Sequence, residues 1–397
     1  MPPTPQQVQV AAATQLARWS EPELWFSSSS SAITAAGGVT QIPVPGPINL
    51  VRPIESLTIL ASFRVTVAVG AYAAVAPEAP QNFIQTIQLQ GQHRNFGAQT
   101  PVRMSGATAY ALGRAFQLET GGGEYLISKN GGALTRAAQP GRPFVSAFDG
   151  TVATHDMIVA YHVPTGPSLS PSPLNQKQDV NFLLQPLDWG NTLQLLLTVG
   201  DASAFGDPTG ATVTFQGFGG AGNPNFQVFA NYALLGDFQN SMQRSGLVVR
   251  NEQQLPSQTA LTTNVLMLQL AHQITSSVIV KTGRIQTTGL TANVDTLASL
   301  SDVQMEQTQL VVDNKPLRNN SSNMMLKSYH ERMFNTIVPE GYLPFTFVEG
   351  GTSLLAYRGD RLPGGSQFNL NSNIITASAN QRQRVVQEYI LGGPFPA

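Results

Sequence analysis

One stretch of the sequence has the spacing of a nucleotide-binding loop. Residues 217–222 read Gly-Phe-Gly-Gly-Ala-Gly and match the pattern G-x-G-x-x-G. In a dinucleotide site a helix must follow this pattern, so that its N-terminus meets the pyrophosphate. Here residues 223–225 read Asn-Pro-Asn, and a run that alternates like a strand begins at Phe226. Because the helix is missing, we interpret the stretch as a glycine-rich loop without a nucleotide.

The histidines are the residues best suited to hold a metal or to transfer a proton. They are His93, His155, His162, His272 and His330. No two are spaced as H-x-H or H-E-x-x-H, the spacings that place two imidazoles on one metal. Jelly-roll enzymes of the cupin kind need such an H-x-H pair and a following glutamate. We therefore expect structural histidines, no metal site and no cofactor.

Other catalytic patterns are missing from the sequence as well. It contains no G-x-S-x-G elbow, P-loop, EF-hand loop or paired-carboxylate cluster, and it has no cysteine. The segment 319–322, Asn-Asn-Ser-Ser, is interpreted as the cap of a following helix and not as a glycosylation site. The close basic pair Arg382 and Arg384 is assigned to the solvent face of a strand. The sequence thus predicts a protein that is not an enzyme.

Charge is scarce along the whole chain. Lys, Arg, Asp and Glu make up 11% of the 397 residues, and the formal net charge is −1. An ordinary soluble domain carries about 25% of these residues. The near-zero net charge argues against binding of nucleic acid through a basic surface, and we expect no sequence-specific nucleic-acid partner. Either the source favours an unusual composition, or partner subunits cover much of the surface.

The elements that would position any site are mostly β-strands. Residues 57–69 alternate apolar and polar side chains with a period of two, and so do 193–199 and 226–234. Glycine and proline, 36 and 27 residues, separate many of the apolar runs. Many short strands with such connections indicate sandwiches or barrels. The fold class expected is all-β, with two eight-stranded jelly-roll sandwiches in one chain and a few short helices.

Two helices are predicted inside this β pattern. One covers about residues 105–118, and the other covers about 322–335. The second helix carries Met325, Tyr329 and Met333 at four-residue spacing. We assign both apolar stripes to packing against the core and not to a cofactor.

The chain divides into three predicted parts. Residues 1–38 are interpreted as an N-terminal arm with a short helix, 39–238 as the first jelly roll and 239–397 as the second. Apolar contacts of the arm are assigned to a set of bulky side chains, namely Leu16, Trp19, Leu24, Trp25 and Phe26. Arg18 is the only basic residue among the first fifty. Because one charge adds only about 1 kcal/mol at an anionic lipid surface, these apolar side chains must supply most of the docking.

The order of segments resembles the double jelly-roll major capsid protein of tectivirus-type, tailless bacteriophages with an internal membrane. The resemblance covers nearly the whole chain. It rests on the Gln- and Ala-rich helix 5–19, the strand 57–69, the Tyr161-to-Pro164 element, the helix leading into 337–342, and the last strand after 378–382.

This resemblance implies a structural role. Three chains would form a homotrimeric, pseudo-hexagonal tile, and tiles would pack into an icosahedral shell around an internal membrane. The partners would be further copies of the chain, then minor capsid, vertex or membrane proteins, with possible contact to the internal lipid. The protein would be found in the virion, and in the host cytoplasm during assembly. The alternative from another class is a carbohydrate-binding β-sandwich, such as a spike or lectin-like adhesin, which predicts a groove with exposed aromatic side chains.

Overall fold

The computed structural model of the protein describes most of the first half of the chain and separate parts of the second. The described residues are 20–29, 40–44, 46, 52–76, 78–115, 125–136, 148–166, 183–233, 246–255, 262–266, 274–285, 297–299, 305–317, 322–334, 338, 341–347, 357–358, 363, 366–374 and 381–392.

These residues form mainly strands. In chain order the strands are β1 (Ser20–Ser29), β2 (Thr40–Val44), β3 (Ile54–Val69), β4 (Ala74–Val75), β5 (Ile84–His93), β6 (Gly97–Met104), β7 (Tyr125–Lys129), β8 (Thr135–Arg136), β9 (Ala153–Pro164), β10 (Gln194–Val199), β11 (Gly206–Asp207), β12 (Thr212–Gln216), β13 (Asn225–Ala233), β14 (Leu247–Gln254), β15 (Thr262–Leu266), β16 (Ile274–Ile285), β17 (Leu297–Ser299), β18 (Met305–Val312), β19 (Lys315–Pro316), β20 (Tyr342–Thr346), β21 (Tyr357–Arg358), β22 (Phe368–Ile374) and β23 (Gln381–Leu391). The helices are α1 (Gly106–Ala115) and α2 (Asn323–Phe334).

The first half of the chain is a sandwich of two sheets. One sheet has the order β1-β13-β3-β9-β7-β8, and β12 also pairs with β3. The other contains β6, β5, β10 and β2 as neighbours. The alternation in β3 predicts its buried face correctly, because its odd-numbered side chains from 57 to 67 are at most 1% exposed. Phe226, Val228 and Tyr232 of β13 are buried with them, as predicted.

Aromatic rings fill the centre of this first core. The Phe63 and Phe83 rings stack with centroids 3.9 Å apart, and Phe205 meets Phe63 edge-on at 6.0 Å. Such pairs contribute about 0.5–1.5 kcal/mol beyond the area that they bury. The packing explains why 57–69 forms a strand in which one face is entirely apolar.

The second half builds another sandwich and shares a sheet with the first. Its strands β17, β16, β23 and β14 continue into β6, β5, β10 and β2 to form one sheet, in which β14 runs parallel to β6. A separate sheet of order β15-β22-β18-β19 faces it. Apolar side chains between them, including Val278, Leu310, Phe345 and Leu370, form a second core. The predicted boundary at 238/239 lies outside the described residues and stays a prediction, while β13 ends at Ala233 and β14 begins at Leu247.

The predicted arm 1–38 is wrong for residues 20–29. Strand β1 pairs antiparallel with β13, and its register shifts between Leu24 and Phe26. A bulge of this kind adds one residue to the strand without a cross-strand partner. Trp25, the extra residue, is 6% exposed and belongs to the first core, Phe26 packs against that core, and Leu24 remains 45% exposed. The predicted arm residues Leu16, Arg18 and Trp19 lie outside the described residues.

Both predicted helices are present, but the second buries a different face from the one expected. In α1, Ala107 and Ala111 are buried, so the apolar stripe of this helix packs against the core as assigned. In α2, Met325 and Tyr329 are 63% and 49% exposed, which contradicts their assignment to the core. The side of α2 turned inward carries Asn323, Lys327 and His330 instead.

Asn323 explains the orientation of α2. Its Oδ1 accepts a hydrogen bond from the Thr308 amide at 2.6 Å, and its Nδ2 donates to Thr308 Oγ1 at 3.1 Å. These two bonds fasten the first turn of the helix to strand β18. A polar row therefore lies against the sheet, and the apolar row faces outward. Ser322 caps the helix as predicted, because its hydroxyl accepts the Met325 amide at 3.3 Å.

Candidate functional surfaces

A buried arginine joins the two sandwiches. Arg250 of β14 is 1% exposed, and its Nε donates to Glu388 Oε2 of β23 at 2.7 Å. Its two terminal nitrogens donate to the backbone carbonyls of Pro164 and Gly166, at the end of β9 in the first sandwich. A single side chain thus connects β9 to two strands of the second sandwich.

A second charged residue on the same face of β14 also reaches the first sandwich. Glu252 accepts hydrogen bonds from the Ser105 amide at 2.5 Å and from the Ser105 and Thr108 hydroxyls at 3.2 Å. Ser105 caps α1, whose first turn has no acidic residue of its own. Glu252 therefore places a carboxylate at the helix end where the macrodipole favours negative charge.

Arg384 of β23 forms an ion pair with Glu252. Its Nη1 lies 3.4 Å from Glu252 Oε1, and both side chains are less than 10% exposed. The assignment of Arg384 to a solvent face is therefore wrong. The basic group is buried because the outer face of this sheet is covered by the first sandwich.

We call the four side chains Arg250, Glu252, Arg384 and Glu388 the ionic seam. Burial lowers the pKa of Arg250, and the neighbouring Glu388 carboxylate opposes that shift. Removing one partner of such a buried pair costs about 3–5 kcal/mol, although the intact pair can add little net stability. The seam thus joins the two sandwiches through charged side chains that are less than 10% exposed.

The glycine-rich loop 217–222 is held by another ion pair on the outer face of the first sheet. Arg64 donates to Asp156 through Nε at 2.8 Å and through Nη2 at 2.6 Å. Asp156 also accepts the amide of Gly219 at 2.9 Å. Strand β13 follows the loop, as expected, so the segment lacks the helix that a nucleotide site requires.

Four of the five histidines lie in the described part of the chain, and His272 lies outside it. His93 accepts the Asn95 amide through Nδ1 at 3.1 Å, and its ring meets Trp189 edge-on at 5.0 Å. Burial lowers the pKa of His155, of His162 to about 4 and of His330 to about 3. These three rings are therefore neutral at pH 7.

No metal-binding cluster is found within the residues described. Nowhere among them do three or more His, Asp or Glu side chains come together as ligands would. The same residues include no helix of sufficient length and hydrophobicity to cross a membrane.

Several large apolar side chains are exposed on the outside of the fold. Met324, Met325 and Tyr329 form one group on α2, each at least 49% exposed. Phe218 of the glycine-rich loop is 40% exposed, and Leu24 of β1 is 45% exposed. Groups of exposed apolar side chains are typical of surfaces that bind another molecule.

Comparison with known proteins gives a match in structure only. No protein-family model and no curated protein matches the sequence. The major capsid protein of Sulfolobus turreted icosahedral virus superposes with a TM-score of 0.50 at 13% identity, covering 94% of this chain and 98% of that one. The fold is a double jelly roll.

Two further structures agree over similar lengths. The major capsid protein of bacteriophage PM2 matches with a TM-score of 0.50 at 12% identity, covering 94% of this chain and 98% of its own. The capsid of the virus PBCV-1 matches with a TM-score of 0.52 at 9% identity, covering 96% and 98%. The predicted resemblance to double jelly-roll capsid proteins is thus confirmed for the fold, including both sandwiches.

Proposed function

We propose that this protein is the major capsid protein of an icosahedral virus and forms homotrimeric, pseudo-hexagonal shell tiles. The observation that carries the proposal is the pairing of two jelly rolls in one chain, with one sheet continuing from β6 into β14. Capsid proteins of this fold match almost the full length of both chains. Three such chains present six similar sandwiches, so a trimer fills a nearly hexagonal position in a shell.

The scarcity of charge supports an assembled state. Charged residues make up 11% of the chain, and the four side chains of the ionic seam are less than 10% exposed. Subunit interfaces are depleted in charge at their centres and enriched in aromatic residues and methionine. The exposed group Met324, Met325 and Tyr329 has this composition, and we assign it to a contact between subunits.

The N-terminal residues 1–19 are proposed as an assembly arm. They carry Leu16, Arg18 and Trp19, and they precede β1, which is anchored in the first sheet. An isolated helix of about 15 residues is marginal in water. The arm therefore gains its structure by docking on a neighbouring subunit or at an internal membrane, mainly through apolar contact.

The remaining parts of the proposal concern setting and partners. The protein is a component of the virion and is assembled in the host cytoplasm, with an internal membrane as in tectivirus-type phages. Its partners are its own copies, then minor capsid, vertex or membrane proteins. Its role is geometric, without catalysis, cofactor or sequence-specific nucleic acid.

The direct experiment is expression of the full chain and of a variant lacking residues 1–19, followed by negative-stain electron microscopy. We expect the full chain to form trimers and shells, and the shortened chain to form trimers that do not close into shells. The alternative function, a carbohydrate-binding β-sandwich of a spike or adhesin, predicts a sugar-binding monomer. A full chain that stays monomeric at micromolar concentration contradicts the capsid proposal.

A further inference from the structure

The outer face of the first sheet contains a cavity whose lining side chains belong to neither hydrophobic core. Its volume is about 590 Å³, within the range of about 300–1,000 Å³ typical of small-molecule sites. Outward-facing side chains of three adjacent strands form its floor, among them Leu60 of β3, Ile158 of β9 and Gln227 of β13. The loop 217–222 forms its wall.

The wall is rigid, so the cavity has a defined shape. The Gly217 amide donates to the Gly222 carbonyl at 2.9 Å, which closes the loop on itself. The Gly219 amide is tied to Asp156. A Cβ at Gly220 would lie 2.4 Å from Arg64 Nη1, and the φ of +90° at this residue also favours glycine. The glycine spacing therefore serves the close approach of the loop to the Arg64–Asp156 pair.

The chemistry of the lining selects an uncharged ligand. The described residues around the cavity include no ionisable side chain. They offer the amides of Asn225 and Gln227 and the hydroxyl of Ser62 beside apolar carbon. The Ser62 hydroxyl donates to the Asn225 backbone carbonyl at 3.5 Å and keeps its own lone pairs to accept a hydrogen bond from a ligand.

An aromatic ring adds a second requirement. Phe218 lines the cavity and is 40% exposed, so part of its side chain is available to a ligand. A ligand that suits the whole cavity has hydroxyl donors for the amides and a C–H face for the ring. Leu60 and Ile158 provide further apolar contact on the floor.

We propose that this cavity binds a neutral saccharide unit. The site would give a shell protein a sugar-binding surface on the outside of its first jelly roll, in addition to its role in assembly. Free sugars and the terminal units of a surface glycan share this chemistry. None of the lining residues belongs to the group Met324, Met325 and Tyr329 that we assign to a subunit contact, so assembly and sugar binding are tested with different variants.

The test is saturation-transfer NMR on the purified full chain in its native oligomeric state. The probes are the methyl glycosides of glucose, galactose, mannose and N-acetylglucosamine at millimolar concentration, with inorganic phosphate titrated as a charged comparison. We expect at least one glycoside to bind and phosphate not to compete. Phe218→Ala should weaken binding by up to about 10-fold, which corresponds to about 1.4 kcal/mol. Gln227→Ala should weaken it a few-fold.

Leu134→Ala is the matched control, because Leu134 is similarly exposed, at 43%, but does not line the cavity. It should bind the glycoside as the unaltered chain does. Circular dichroism checks the fold of each variant, and Gln227→Ala provides the test if Phe218→Ala does not fold. The proposal is overturned if no glycoside binds, or if both cavity variants bind as tightly as the unaltered chain. If no glycoside binds and Phe218→Ala also breaks the oligomer, the occupant of the cavity is a second copy of the chain and not a saccharide. Binding to trimers or to monomers supports the site in either case, and only the oligomeric state bears on the capsid proposal.

Discussion

Substitution of Arg250 tests whether the ionic seam holds the two jelly rolls together. Arg250→Met keeps the length of the aliphatic stem and removes the guanidinium. The change removes the ion pair to the Glu388 carboxylate, which is 3% exposed, and the donors to the carbonyls of Pro164 and Gly166. Breaking a buried pair in this way costs about 3–5 kcal/mol in the free energy of unfolding.

A second variant separates the charge from the packing. Arg250→Met combined with Glu388→Leu removes both charges of the pair, so no buried carboxylate remains at position 388. Replacing a buried ion pair by apolar residues often changes the free energy of unfolding little. The loss of the hydrogen bond at each of the two backbone carbonyls costs about 1 kcal/mol. We therefore expect the double variant to lose about 2 kcal/mol or less and to be more stable than Arg250→Met alone.

The measurement is denaturant unfolding followed by tryptophan fluorescence and circular dichroism, with the coupling taken from the double-mutant cycle. The control is Lys129→Met, because the Lys129–Asp149 pair is more than 40% exposed on both sides. An exposed pair contributes about 0–1 kcal/mol. The reasoning is refuted if Arg250→Met costs no more than Lys129→Met, or if the double variant is as unstable as the single one.

Three further outcomes follow from the described contacts. Trp25→Ala should lower the free energy of unfolding by about 3–5 kcal/mol, because Trp25 is buried in the first core. The neighbouring Leu24→Ala should lower it by less than about 1 kcal/mol, because Leu24 is exposed. Equal losses would contradict the bulge. Gly220→Ala should lower the melting temperature and increase proteolysis of its loop, because the new Cβ meets Arg64, and an unchanged cleavage pattern would count against this geometry. Burial lowers the pKa of His330 to about 3, so the unfolded state takes up a proton first as the pH falls below 6.5. Stability should decline between pH 6.5 and about 3 by up to about 1.4 kcal/mol per pH unit, and His330→Gln should reduce this slope in thermal melts; an unaltered slope would contradict the assignment.

The strands of both cores could be predicted because their signal is local. Alternation over 57–69 follows directly from one apolar face and one outer face. The alternating runs 193–199 and 226–234 correctly predicted β10 and β13 for the same reason. The two helices were also found from their periodicity.

The errors concern features that depend on distant residues. The bulge in β1 places Trp25 and Phe26 side by side toward the core, which breaks the alternation that identifies a strand. The spacing of Met325 and Tyr329 predicted a helix but not its buried face, which is set by the bonds from Asn323 to Thr308.

The ionic seam and the cavity could likewise not be predicted from the sequence. Arg250 and Glu388 are 138 residues apart, and only the β14–β23 register brings them opposite each other. The pattern of residues 217–222 correctly predicted a loop. The hydrogen bond from the Gly219 amide to Asp156 and the cavity walled by the loop depend on strands that are distant in the sequence.

The measurement that tests the central proposal most directly is the mass and outline of the purified full chain. Native mass spectrometry gives the mass, and averaged cryo-electron micrographs of the same sample give the outline. The capsid proposal predicts a particle of three times the 42.4 kDa chain mass, with six lobes arranged as a near-hexagon, that assembles into closed shells. A stable 42.4 kDa monomer at micromolar concentration, with two lobes and no tendency to associate, would contradict it.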